Sequence, residues 1–313
     1  MFTIIKKEGE KLTSGTLDDF HKKHTVWLDV IAPSEKEIEK ISEATGIEVK
    51  HLQEHLRDER PHLDDLGSYS IVVLDAPGLI GKEVVTHHVA CLISGNNNII
   101  TIRNHSIDAI DRINDILKKG KIKAMESRTK FLYVLIDEIN RDYFRMLNHI
   151  EDRVEEIEEK VFKKPDRSHA LSIFKIKKAL IYFHKSLIAN REVITGIEKD
   201  YLSEIEKRDV RKFRDLYNDC IQLIDMEETN RDILTGVLDI YLSSNSNNIN
   251  QVVKTLTIIT TFIMAPALIA GIYGMNFQIL PELGWKHGYA FALFLMVAID
   301  VGFFVYFKKK GWI

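Results

Sequence analysis

Two long apolar stretches close to the C-terminal end constrain this chain more than anything else in it. From Val252 to Tyr273 the only charge is Lys254, near the start. These roughly 22 residues are enough for a helix to cross a hydrocarbon core of about 30 Å. From Tyr289 to Phe307 the chain is apolar again for about 19 residues, broken only by Asp300. A short loop, Gln278 to Gly288, lies between them, and Lys308, Lys309 and Lys310 follow directly. Lys and Arg beside span ends stay on the cytoplasmic side, so the lysines put both termini in the cytoplasm and the loop, with only Lys286, outside. Paired spans of this length with a basic stop are uncommon in soluble domains, which argues against two buried core helices.

The whole-chain averages hide this asymmetry. Over 313 residues, 28% charged and 45% hydrophobic with a net charge of −3 look like a soluble protein. Charges are dense up to about Asp239 and sparse from there to Lys308. The near-neutral balance leaves no nucleic-acid footprint. Cys91 and Cys220 are far apart, which predicts reduced cytosolic thiols rather than a disulfide framework. Lys6 and Lys7 end the apolar start too early for a signal sequence.

Residues 1–123 read as a cytoplasmic α/β domain. Val26–Ile31, Ser70–Leu74, Val84–Ser94 and Asn98–Arg103 are strand-like. Ser34 to Glu37 is a capping box opening a helix to about Ala44, and Ser106 is placed to cap another, with Asp108 and Asp111 near its positive end. Residues 124–208 read as long antiparallel helices. Leu147, Ile150, Val154, Ile157 and Val161 form a seam, Pro165 breaks it, and Ile173 to Ile194 repeat the same steps, with Gly196 as a stop. A third helical pattern starts near Asp209, and local propensity breaks it at Ser243–Asn248.

Tyr273-Gly274-Met275-Asn276-Phe277 stands where the first span ends. Ala270-Gly271-Ile272 precedes it, Pro281-Glu282-Leu283 lies in the loop, and Tyr306 to Trp312 closes the chain around the lysines. Tyr241-Leu242-Ser243-Ser244 and Arg60-Pro61 add to the pattern. Together these resemble the CorA family of magnesium channels, whose signature is a Gly-Met-Asn triplet after the first of two C-terminal spans. The resemblance implies an α+β, funnel-shaped homopentamer in the cell membrane. Its stalk helix (209–272) would run unbroken into the first span (252–273), overriding the break at Ser243. An extracytoplasmic loop (274–288), a second span (289–307) outside the pore ring and a basic cytoplasmic tail (308–313) would follow. It implies Mg²⁺ as both transported and regulatory ion, with Co²⁺ and Ni²⁺ as further cargo, no organic cofactor and no enzymatic activity.

Mg²⁺ is small, hard and slow to shed water, so a channel can grip it through its hydration shell. Amide and backbone carbonyl oxygens accept hydrogen bonds from that shell without trapping the ion through full charge. Gly274, Met275 and Asn276 are therefore the expected selectivity filter, with Asn276 as the polar ring, Gly274 turning carbonyls toward the axis and Met275 packing the turn. Asn250, Val253, Leu256, Thr260, Met264, Ala267 and Gly271 recur on one helix face. That face either lines the pore, with Leu256 and Met264 as apolar constrictions, or packs on the second span; the resemblance favours the pore. Relatives often carry a hydroxyl where this chain has Ala267, so no extra ion site is implied there. Glu282 either gathers cations outside or packs beside Pro281.

The stalk acids, Asp215 and Asp219 one turn apart among them, resemble the family's regulatory metal ligands, with Glu54 as a partner from the N-terminal domain; a solvated helix face explains them equally. The acidic run Glu151–Glu159 reads either as a solvated face or as a cation-attracting surface. Lys308, Lys309 and Lys310 either meet lipid headgroups or form a basic collar round the pore. His51 with His55, and His87 with His88, fall short of a zinc site. Asp300 is an intramembrane carboxylate, functional by default, although its span should lie outside the pore. Two other readings stay in view: a zinc-moving relative of the same fold, against which Met275 speaks, and a scaffold anchored by a membrane hairpin.

Overall fold

Alternating apolar residues along the N-terminal strands build a mixed sheet with helices on both faces. The computed structural model describes every residue except 1, 23, 55–59, 82, 95–96, 121, 207–208 and 277–283. The chain forms two compact units, Met1–Leu238 and Asp239–Ile313.

In the first unit, β1 (Phe2–Glu8), β2 (Lys11–Ser14), β3 (Thr25–Ile31), β4 (His62–Asp65), β5 (Tyr69–Ile80), β6 (Glu83–Ser94) and β7 (Asn98–Arg103) lie in the order β2-β1-β3-β7-β6-β5-β4. β3 and β7 pair in parallel, and their neighbours pair antiparallel. The four predicted strands are all present. β1, β2 and β4 are additional.

Period-two alternation sorts β3 cleanly. Val26, Leu28 and Val30 join Ile38 and Ile41 of α1 (Glu35–Thr45) and Leu52 of α2 (Val49–Glu54) in one core layer. Trp27 and Asp29 point to the other face. There Trp27 Nε1 donates to Thr101 Oγ1 at 3.1 Å, and Thr101 Oγ1 donates to Asp29 Oδ1 at 2.7 Å. Arg103, also fully buried, reaches Asp29 Oδ2 at 2.7 Å. Burial pulls the Arg103 guanidinium down, but Asp29 and Asp111 outweigh that and hold it above its ordinary value.

The expected Ser34 capping box is formed, with Ser34 N–H donating to Glu37 Oε2 at 2.9 Å. The Ser106 cap is not. The N-cap of α3 (Asp108–Lys118) is Ile107, and the Ser106 hydroxyl is held instead by the Asp111 carboxylate, five residues on.

α4 (Arg128–Lys163) and α5 (Arg167–Glu198) carry the predicted seam, and Leu147, Val154, Val161, Ile173, Leu180 and Leu187 are buried. Asp166 caps α5 by accepting from Ser168 N–H at 2.8 Å. Gly196 is not a stop, because α5 runs to Glu198. A Cβ on Gly196 would lie 2.3 Å from Leu63 Cδ1, so a larger residue there would have to displace the Leu63 side chain of β4. Cys91 and Cys220 are buried free thiols, each pushed up to about 12 by burial.

α6 is one helix from Phe213 to Tyr273, 61 residues or about 92 Å at 1.5 Å per residue. Ser243–Asn248 is helical within it, against local propensity. α7 spans Gly288–Lys309.

Candidate functional site

The membrane half of α6 has two faces. Lys254, Ile258, Thr261, Phe262, Ala265, Pro266, Ile269 and Tyr273 are partly or fully covered, with Ile269 only 8% exposed. Asn250, Val253, Leu256, Thr260, Met264, Ala267 and Gly271 are all exposed, Leu256 at 62% and Met264 at 63%. At about 100° per residue the two sets centre roughly 150° apart. α7 presents its own stripe in return: Ala292, Met296, Ile299, Asp300, Phe303 and Phe307 recur at helical spacing and are the less exposed side of that helix. Phe262 and Phe307 meet with ring centroids 6.1 Å apart. The predicted face therefore does not pack on the second span.

Hydroxyls are tolerated in this apolar helix because they are satisfied within it. Thr255, Thr257 and Thr261 donate to the carbonyls one turn back at 2.8–2.9 Å. Pro266 lies inside the helix, where it cannot donate to the Phe262 carbonyl.

At the helix end Gly274 N–H still donates to Ala270 O at 2.9 Å, and Met275 N–H to Ile272 O at 3.2 Å, tightening the last turn. Gly274 is not among the glycines with a left-handed φ. A Cβ there would sit 3.2 Å from Ala270 O, and this close backbone approach is what favours glycine. Met275 is 49% exposed. Asn276 is exposed immediately beyond the helix. Phe277, Pro281 and Glu282 lie outside the described residues.

The other end of the hairpin is closed by a contact the sequence did not suggest. Gly311, at φ +68°, terminates α7: its N–H donates to Lys308 O at 3.1 Å and Trp312 N–H to Phe307 O at 2.8 Å. This is a Schellman motif, and the expected apolar contact is present, with Trp312 stacked on Phe307 at 5.6 Å and 9°. Lys254 Nζ then donates to Gly311 O at 3.0 Å and lies 5.8 Å from the Trp312 ring centroid. The one charge of the first span is thus spent on the tail. Lys308, Lys309 and Lys310 are exposed, with Lys310 Nζ 5.9 Å from the Tyr306 ring. Asp300 Oδ1 is shielded and has no hydrogen-bond partner among the described residues.

The stalk acids divide by environment. Glu227 is fully buried and held by His184 Nδ1 at 2.7 Å, so it is a packing residue. Asp219 is half-buried; burial, then Asp215, raises its carboxyl above the usual range. Burial also raises Asp137 on α4, which feels Asp219 as well as Glu138, and Arg141 at 2.9 Å opposes this. Asp137 was not foreseen as part of this acidic region. Glu54 is half-buried and pairs with Lys50 of its own helix at 3.6 Å. Among the described residues no group of three or more His, Cys, Asp or Glu is placed to hold a metal ion within one chain.

The family model described as CorA-like Mg²⁺ transporter protein matches residues 22–309 of this chain. The chain belongs to the CorA family. It is 37% identical, over the full length of both proteins, to the cobalt/magnesium transport protein CorA of Methanocaldococcus jannaschii. To the protein of that name from Thermotoga maritima it is 34% identical, over 92% of this chain and 83% of the relative. The complete structure of the CorA magnesium transporter from Methanocaldococcus jannaschii superposes with a TM-score of 0.91 at 34% identity, covering 100% of this chain and 99% of that one. Full-length CmaX, 16% identical with a TM-score of 0.78, shares the fold. The CorA fold accounts for the N-terminal mixed sheet, the long stalk helix and the two apolar C-terminal helices, which are the membrane spans of a transporter rather than parts of an enzyme.

Proposed function

We propose that this CorA-family chain forms a passive channel for hydrated Mg²⁺, with Co²⁺ and Ni²⁺ as further cargo, as a homopentamer with both termini in the cytoplasm. The observation that carries this is the asymmetry of α6: α7 covers one face and leaves bare the opposite one, which carries Asn250 to Gly271 and leads into Gly274-Met275-Asn276. A helix face left uncovered by its own chain inside a membrane is free to face an aqueous axis shared with sister copies. The relatives' names, cobalt/magnesium transport protein, favour the same cargo.

In this mechanism five Asn276 amides ring the outer mouth and accept hydrogen bonds from the water shell of Mg²⁺, which stays intact. No carboxylate lies on the pore face, so nothing there holds the ion tightly. Leu256 and Met264 form apolar constrictions that close by dewetting, and Asn250 is a polar ring at the inner mouth. Glu282 concentrates cations outside, and Lys308–Lys310 contact lipid headgroups. Two charges moving through about 100 mV gain roughly 4.6 kcal/mol, so an interior-negative membrane drives influx without ATP. Asp215 and Asp219, with Glu54 of a neighbouring copy, hold regulatory Mg²⁺ that offsets their repulsion and favours the closed pore. Asp300 takes no part in conduction.

The test is Mg²⁺ uptake into liposomes holding the purified chain, with an interior-negative potential imposed. Uptake that grows with the potential and proceeds without nucleotide supports the channel. No uptake at any potential, or a chain that stays monomeric in lipid, would refute it. The zinc-moving alternative is separated by adding Zn²⁺ as competitor.

A further inference from the structure

A cavity of about 580 Å³ lies entirely within the first unit, between the β5–β6 hairpin and the helices α4 and α5. That volume suits a small organic ligand. It has no part in the transport mechanism above.

Its charge is lopsided. Arg153 of α4 and Lys175 and Lys178 of α5 line it, and only one carboxylate, Glu83, does so. None of these three cations has an ion-pair partner among the described residues. Lys178 Nζ instead lies 5.7 Å from the ring centroid of Tyr182, another lining residue. On α4, by contrast, Arg141, Arg145, Lys160 and Lys163 each pair with a carboxylate of their own helix.

Four imidazoles, His87, His88, His105 and His149, share the cavity wall. Such a group would suggest a metal, but three fixed cations around it repel one. No group among the described residues is placed to hold a metal. The imidazoles are instead built in as flat surfaces. The His87 and His105 rings lie 4.5 Å apart at 36°. His87 occupies a slot that exists only because residue 78 is glycine: a Cβ there would fall 2.4 Å from His87 Cδ2. His88 Nδ1 is held by the buried Asp75 carboxylate, whose other oxygen accepts from Ser186 Oγ at 2.5 Å. Ile150, Ile176 and Ala179 add an apolar wall.

We propose that this cavity binds an organic phosphate with a planar ring, of the nucleoside-monophosphate class, its phosphate on Arg153, Lys175 and Lys178 and its ring against the histidine wall. Guanidinium and ammonium groups recognise phosphate oxygens through charge-assisted hydrogen bonds. A ring and an imidazole pair supply sequence-tolerant stacking. Because the lining comes from the sheet and from both helices, the ligand bridges them.

Calorimetric titration of the full-length protein in detergent with AMP, adenosine and inorganic phosphate tests this. AMP is expected to bind saturably, and more tightly than either fragment. Arg153→Ala and Lys175→Ala are exposed substitutions that should leave the unfolding temperature unchanged, and each should weaken AMP about tenfold. His105→Ala should weaken AMP while leaving the weak affinity for phosphate as it was. Absence of saturable AMP binding at millimolar concentration would overturn the proposal. So would affinity that survives the Arg153→Ala and Lys175→Ala changes together, or phosphate or adenosine binding as tightly as AMP.

Discussion

The two units of this protein use the same apolar residues to opposite ends. In Met1–Leu238, side chains such as Leu132, Phe183 and Leu216 are wholly buried in a core closed by the chain itself. In Asp239–Ile313, Leu256, Phe294 and Val297 are left more than half exposed by their own chain. Hydrophobicity alone therefore does not say where a residue goes. In the first unit water drives the apolar groups together. In the second, lipid is as apolar as leucine, and only backbone satisfaction and close packing dictate structure. The face left bare at Asn250 to Gly271 is consequently available for a pore.

The contrast can be broken most severely at Asp29. It is buried against Arg103 and Thr101, and Asp29→Ala leaves a guanidinium inside the first unit with its main partner gone. The expected loss is about 3–5 kcal/mol, read from denaturant unfolding of the cytoplasmic signal. A smaller loss would mean that water reaches Arg103.

A matched pair of truncations sharpens the comparison. Leu132→Ala, at a fully buried site, should cost about 2–5 kcal/mol of stability. Leu256→Ala, at an exposed one, should leave the unfolding temperature in place and change ion flux instead. Equal destabilisation by both would show that the second unit has a core of its own.

Gly311→Ala probes the end of the hairpin where the second unit closes on its own tail. With φ at +68° the alanine should cost roughly 1 kcal/mol and loosen the contact of Lys254 with the tail. Quenching of Trp312 fluorescence by aqueous iodide should then rise.

The smallest effect belongs to Asp219. Its folded carboxyl is raised above the unfolded value, by burial and then by Asp215, so ionising it weakens the fold. The associated stability is full below the unfolded pKa of about 4 and is lost as pH rises through the folded value. Asp219→Asn should therefore stabilise slightly at neutral pH without Mg²⁺ and gain nothing well below pH 4. Thermal unfolding at the two pH values checks the sign.

Periodic features were legible in the sequence. The α4–α5 seam, the four predicted strands and the two spans follow from burial at regular spacing. β1, β2 and β4 escaped because β1 carries Lys6 and Lys7, β2 and β4 have four residues each, and all three depend on partners elsewhere in the chain. Ser243–Asn248 was misread by local propensity, since a long helix supported on both sides carries six poor formers through. Of the candidate site, the exposed face of α6 and the Gly-Met-Asn triplet were visible as pattern and motif. The bond from Lys254 to Gly311 spans 57 positions, and nothing local announces it. Asp137 beside Asp219 and the joining of His105 and His149 to His87 and His88 likewise exist only after folding.

The central claim is that the Asn276 amide grips the water shell of a passing ion. Mg²⁺ uptake into liposomes should fall to the protein-free background for Asn276→Ala at equal protein content and unchanged oligomer size. Uptake equal to that of the wild type would contradict the account.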